Sequence, residues 1–314
     1  MESAHTTQQV LTLASKQDGI VTARQCRQLG ISPAEIKARC RSGRWRRIYR
    51  GTYLVMGASV AELPARVRTR AGLLAAGPHS VAVLSTAAAV HGIEGLPPPD
   101  GQVHLSLPGE HARARRIIDR QLALHQLAIK PAEITKVDGL MVTTPLRTVA
   151  DLILRVGRFS AVSIMDSALH QQLISEAEFA TLPQLIAGRR GAVQTKTWVP
   201  AADARAASPL ETRVRLRCAD GGVAPDVLQY PVLDLDGELL GIADFAWLGA
   251  RVLGEADGGE VHSRPDALFR DRWRQNALAN AGWRIIRFTW EDTLRPGYIP
   301  YVVRQALAGA HPGS

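Results

Sequence analysis

The chain has 314 residues, 46% hydrophobic and 21% charged, which excludes a chain disordered throughout and leaves room for two or three packed domains. Its apolar runs are too short for a spanning helix, the polar start MESAHTTQQV lacks the regions of a signal peptide, and its 3 cysteines form no CxxC pair. A cytoplasmic protein with no membrane partner is expected. The net charge of +9 is uneven: +7 over residues 1–57, +4 over 58–200 and −2 over 201–314. A basic first module and an acidic last one suggest a polyanion partner at one end and cation-dependent chemistry at the other.

Val10–Ala14 begins the helical pattern. Thr22 with Gln25 forms a capping box for a short second helix that ends at Gly30. Ser32-Pro33-Ala34-Glu35 opens a third, with a cap, a proline at the first helical position and an acid at the third. Ile36 and Cys40 should face its core. RWRRIYRGTYLV, residues 44–55, reads as a two-stranded wing turning at Arg50-Gly51. Two short helices with a basic hairpin behind them match helix-turn-helix docking on double-stranded DNA. Lys37, Arg39 and Arg41 are the candidate groove contacts, and Arg44, Arg46, Arg47 and Arg50 the phosphate contacts. Residues 1–57 are therefore assigned as a winged-helix DNA-binding domain. GIVTARQCRQLGISPAEIKARCRSGRWRRIYRGTYLV resembles the N-terminal domain of AbiEi-type antitoxins of type IV toxin–antitoxin systems. That resemblance implies operator binding, repression of its own operon and a cognate toxin.

Residues 58–187 read as a mixed α/β middle domain. Arg66–Ala76 and Ser85–His91 are helical, 103–107 alternates as a strand, and Asp138-Gly139 predicts a hairpin between 134–137 and 140–143. Thr144-Pro145 starts a helix, another covers 159–173, and Ser175–Glu178 is a further capping box. LSTAAAVHGI and VDGLMVTTPLRTVADL resemble the segment that follows the winged helix in AbiEi-like proteins. Residues 188–207 show no periodicity and read as a linker.

In residues 208–314, Ser208-Pro209-Leu210-Glu211 opens a helix, and Asp236-Gly237 joins two strands, Leu228–Leu233 and Leu239–Trp247. A third strand spans Arg251–Asp257. A helix over Pro265–Ala281 should bury Phe269, Trp273, Ala277 and Ala281, and a last strand follows over Trp283–Trp290. If the turn after the second strand centres near Gly249, Asp244 sits opposite Glu255, with Asp257 on the same face. Two unit charges about 4 Å apart repel by roughly 4 kcal/mol at an effective dielectric near 20, so such a cluster favours a divalent cation, Mg²⁺ or Mn²⁺. These segments resemble Vsr-like endonucleases of the PD-(D/E)xK, restriction-endonuclease-like superfamily. By that resemblance Asp244, Glu255 and Asp257 hold metal, while Glu211 and His262 complete the catalytic set. Asp257 stands where many members place a lysine, and no lysine follows Lys196.

The fold expected is thus α+β and multidomain: a winged helix, a mixed α/β middle and a restriction-endonuclease-like α/β module. Two functions follow. The first is a DNA-binding protein with Mg²⁺-dependent hydrolysis of phosphodiesters. The alternative is an AbiEi-like repressor and antitoxin whose nuclease-like module is inactive.

Overall fold

A computed structural model describes residues 2–57, 62–98, 100–107, 119–234, 236–258 and 265–309. The chain divides into two compact units: Met1–Ile93 with Pro97–Leu152, and Glu94–Leu96 with Ile153–Ser314. Helices and strands are mixed in both, as the α+β assignment requires.

The first unit opens with α1 (Glu2–Ser15), β1 (Ile20–Thr22), α2 (Ala23–Gln28), α3 (Pro33–Arg41), β2 (Arg46–Tyr49) and β3 (Thr52–Leu54). Both predicted capping boxes form. The Gln25 N–H donates to Thr22 Oγ1 at 3.1 Å while the Thr22 N–H donates to Gln25 Oε1 at 2.8 Å. Ser32 and Glu35 repeat the exchange, which satisfies the orphan donors that open each helix. The strands lie in the order β1-β3-β2, so β2 is an edge. The sheet is buried on both faces. Val21, Trp45 and Val55 pack with Val10, Ala14, Cys26, Ile31 and Ile36 from the helices. Ile20, Tyr49 and Leu54 pack against a second core.

That second core belongs to the rest of the unit. It contains α4 (Ala65–Ala76), β4 (Val81–Ala82), α5 (Leu84–His91), β5 (Val103–Ser106), β6 (Leu122–His125), β7 (Ile134–Val137), β8 (Leu140–Thr143) and α6 (Pro145–Leu152). The sheet order is β6-β5-β4-β8-β7. Asp138 (φ 48°) and Gly139 (φ 79°) are both left-handed, the backbone that a two-residue hairpin turn demands, and they join β7 to β8 as predicted. Asp18 ties the two parts of the unit together. Its two oxygens accept from Arg66 Nε and Arg70 Nε, each at 2.9 Å. Burial works against the Asp18 carboxylate, but the hydrogen bonds from Arg70 and Arg66 outweigh it and hold its pKa below the usual value.

The second unit continues with α7 (Arg158–His170), α8 (Glu176–Ala180), α9 (Leu182–Leu185) and α10 (Ala192–Lys196). Residues 188–207, expected as a linker, therefore contain a helix, and Ala192, Thr195, Val199 and Ala206 are buried. The segment has no amphipathic period because its turns are too short to show one. There follow α11 (Pro209–Asp220), β9 (Val227–Leu233), β10 (Leu239–Trp247), β11 (Val252–Ala256), α12 (Pro265–Asn280), β12 (Arg284–Phe288), α13 (Trp290–Thr293) and α14 (Tyr298–Ala308). The sheet order is β12-β11-β10-β9, with β11 and β12 parallel and the other pairs antiparallel. One face of the sheet packs on Leu210, Val214 and Cys218 of α11 and on Ile299, Val303 and Ala306 of α14. The other packs on Leu278 and Ala277 of α12.

Trp273, expected in the core, is 62% exposed. Ala277 of α12 and Ala281 just after it pack on the core as expected, joined by Leu278, so the spacing of four holds at the end of the helix and fails at Trp273. The side chain of Phe269 lies outside the described residues.

Candidate functional site

On α3, Ile36 is buried and Cys40 half-buried, as the pattern predicts. The opposite face carries Ala34, Lys37, Ala38 and Arg41, spaced i, i+3, i+4 and i+7, and all four are exposed. Arg44 is exposed, with its Nε donating to Ser42 Oγ at 3.1 Å. Arg46 and Arg47 are exposed on the edge strand β2. Lys37, Arg41, Arg44, Arg46 and Arg47 thus form one exposed cationic series that runs from α3 through the connecting turn into the wing.

Two predicted contacts lie elsewhere. Arg39 is half-buried, its guanidinium carbon 4.9 Å from the centre of the Trp45 ring and its Nη2 3.4 Å from Thr7 Oγ1. It fastens α3 to the start of the wing and to α1, so it is a packing residue rather than a groove contact. Arg50 sits in the turn before Gly51 (φ 80°) and lines a cavity with the beginning of α2. Arg24 and Arg27, exposed on α2, were not singled out from the sequence because a six-residue helix shows no face.

The second unit holds the acids. The β10–β11 ladder runs through Trp247↔Val252 and Ala246↔Leu253 and ends at Phe245↔Gly254, a register that leads next to Asp244 and Glu255. There the strands part. The next donor, the Ala256 N–H, bonds to Asp244 Oδ2 at 2.8 Å in place of a backbone carbonyl. On the other side of β10, Gln229 Nε2 donates to Asp244 Oδ1 at 3.3 Å and to Glu211 Oε2 at 2.9 Å. The Ser208 hydroxyl caps the Glu211 N–H at 3.2 Å, but the Glu211 carboxylate turns to the Ala207 N–H and Gln229 rather than closing a capping box. Glu211 is buried. Burial, together with the charges of Glu211 and Glu255, pushes the Asp244 carboxyl up to about 6 against the hydrogen bonds from Ala256 and Gln229.

Gln229 is the residue that sequence reasoning missed. Its backbone is left-handed (φ 52°), which costs a side chain of this kind of order 1–3 kcal/mol. At this position and at Asp244 opposite it, both strands change face. Leu228, Phe245 and Trp247 point to α11 and α14, whereas Tyr230, Val232 and Ala243, which simple alternation would place beside them, pack with α12.

Glu255 is neutralised from within. Its Oε1 lies 2.8 Å from Arg274 Nη2 and its Oε2 3.0 Å from Arg287 Nε. Gly241 makes room for the first pair, since a Cβ there would lie 2.6 Å from Arg274 Nε. The Asp257 N–H donates to the Phe288 carbonyl at 2.8 Å. His262 lies outside the described residues. Among the described residues no three His, Cys, Asp or Glu side chains are grouped so as to hold a metal ion. The donor set thus does not fit a divalent cation as it stands, because both oxygens of Glu255 already face guanidinium groups.

Comparison with known proteins now bears on both regions. Residues 8–55 match the family described as transcriptional regulator, AbiEi antitoxin, and residues 80–198 match the AbiEi antitoxin C-terminal domain. The chain thus contains an AbiEi antitoxin N-terminal domain and an AbiEi antitoxin C-terminal domain. The first match contains the cationic series on α3 and the wing. The AbiEi family matches end at residue 198, before the helix that carries Glu211. Two uncharacterised proteins of Mycobacterium tuberculosis, from two strains, are each 32% identical to the chain over 222 residues, covering 70% of it and 79% of their own length. Among the described residues no helix is long and apolar enough to cross a membrane.

Proposed function

We propose that this protein is a transcriptional repressor of the AbiEi type that binds operator DNA through its winged helix and serves as the antitoxin to a cognate toxin in the cytoplasm. The observation that carries the reading is the exposed series Lys37, Arg41, Arg44, Arg46 and Arg47 on a helix-turn-helix and its edge strand. An α-helix of this size fits the major groove, and the neighbouring strand places cations where a phosphate backbone passes. The test is retardation of the fragment upstream of its own gene against a scrambled fragment, over a salt series. Preferential retardation that Arg46→Ala with Arg47→Ala weakens supports the reading. Equal retardation of both fragments by the wild type overturns it.

In this reading the acidic module of the second unit is a scaffold without cleavage activity. A second reading, Mg²⁺-dependent hydrolysis of DNA, has one observation in its favour: a half-buried acid at about 6 beside two further carboxylates. It requires Arg274 and Arg287 to release Glu255. Plasmid incubated with the protein and Mg²⁺ or Mn²⁺ separates the two. An intact plasmid supports the scaffold, and nicking that Asp244→Ala abolishes supports the nuclease.

A further inference from the structure

A cavity of about 500 Å³ lies in the first unit between the start of α2, the wing turn, α4 and the β7–β8 hairpin. That volume is within the range of small-molecule sites, roughly 300–1,000 Å³. Besides neutral polar groups such as Thr22, Gln25 and Ser80, its walls carry apolar and cationic side chains. Leu73, Leu74 and Met141 are apolar, with Met141 37% exposed. Arg24, Arg50 and Arg70 are cationic, and no Asp or Glu lines the cavity.

The three arginines are not equivalent. Arg70 is fully engaged: its Nε donates to Asp18 at 2.9 Å and its two Nη atoms to the carbonyls of Gly139 and Asp138 at 2.6 and 2.9 Å. It is a fixed wall. Arg24 and Arg50 are both exposed, and neither has an ion-pair or hydrogen-bond partner among the described residues. Two uncompensated guanidinium groups beside an apolar wall are complementary to a molecule with an anionic head and an apolar body. A bare phosphate backbone would use the cations and leave the apolar wall unmatched.

We infer that this cavity binds a small amphipathic anion, a carboxylate or phosphate ester with an apolar tail, its head on Arg24 and Arg50 and its tail against Leu73, Leu74 and Met141. This site is additional to the operator-binding reading and stands or falls without it.

The probes are decanoate, octyl phosphate, uncharged decanol and inorganic phosphate, titrated into the full chain by calorimetry. Decanoate or octyl phosphate should bind with about one equivalent, and decanol and inorganic phosphate at least about tenfold more weakly. Arg24→Glu and Met141→Glu should each weaken the amphipathic probe by about tenfold or more. Met141→Glu should leave operator retardation unchanged, which separates failure at this cavity from failure at the DNA surface. Absence of binding by both amphipathic anions overturns the assignment, as does decanol binding as tightly as decanoate. Displacement of the bound probe by duplex DNA would assign the cavity to the DNA surface and equally overturn it.

Discussion

Lys37, Arg41 and Arg47 are exposed cations at the surface of the winged helix, whereas in the second unit Glu255 is paired with Arg274 and Arg287, and Glu211 and Asp244 share the amide of Gln229. The two regions carry opposite charge and deal with it in opposite ways. Exposed cations of one sign need an external counter-charge, and their attraction for a polyanion is long-ranged and sensitive to salt. An acid paired with internal cations, as Glu255 is, has its counter-charge inside the fold, and the energy of that pairing appears as stability rather than affinity. Charge alone thus does not mark a site; what matters is whether the fold has already answered it.

The largest effect should come from the surface. Replacing Lys37, Arg41, Arg46 and Arg47 together by Ala should lower operator affinity by about 100-fold or more, and flatten the salt slope by about one for each phosphate no longer neutralised. Thermal stability should stay nearly constant. Anisotropy titrations at several salt concentrations measure the slope, and an unchanged slope would break the contrast at its cationic end.

Next in size is the internal compensation. Arg274→Ala with Arg287→Ala leaves Glu255 without either partner and should cost about 3 kcal/mol, read by urea unfolding, with Glu255→Gln restoring much of it. Millimolar Mg²⁺ sharpens this experiment. If it stabilises the double variant but not the wild type, the acids accept a cation only after the arginines have gone.

Asp244 supplies a pH test. Its folded carboxyl titrates near 6, above its unfolded value of about 3.9, so the folded chain binds this proton more tightly than the unfolded one. The associated stability is complete below about pH 4 and is lost as the pH rises through 6. Asp244→Asn cannot ionise. The stability of this variant relative to wild type should therefore rise between pH 4 and 7, by up to about 3 kcal/mol. A difference that does not change with pH would show Asp244 to be solvated.

The smallest effect concerns Arg39. Arg39→Ala should lower stability by about 1 kcal/mol through removal of its packing on Trp45. Lys37→Ala, on the other side of α3, should leave stability alone and weaken DNA binding. If the two variants exchange these phenotypes, the assignment of faces on α3 is wrong.

Local chemistry made much of this fold legible. The capping boxes at Thr22, Ser32 and Ser175 and the Asp138-Gly139 turn act over three or four residues, and the sequence displays them directly. The register near Asp244 followed from the position of one turn. What was hidden depended on distant partners. Arg39 reads as a groove contact until Trp45 is seen beneath it. Glu255 reads as a metal ligand until Arg274 and Arg287, on a helix and a strand further along, are seen against it. The helices α13 and α14 were not predicted: Ile299, Val303 and Ala306 have helical spacing, but Pro296, Gly297 and Pro300 punctuate its start. Gln229 gave no signal at all, since nothing in a strand-like stretch announces a positive φ.

The left-handed residue at Gln229 has a consequence for anyone who redesigns or aligns this protein. It acts as a phase shift in the two-residue rhythm of β9, so an inside-or-outside assignment carried along the strand from Leu228 inverts at Tyr230. Because Gln229 stands opposite Asp244 in an otherwise one-to-one register, deleting it would slide β9 by one residue against β10 and sever Glu211 from Asp244, and a homologue with a gap at this point would wear its acids on a differently wired sheet.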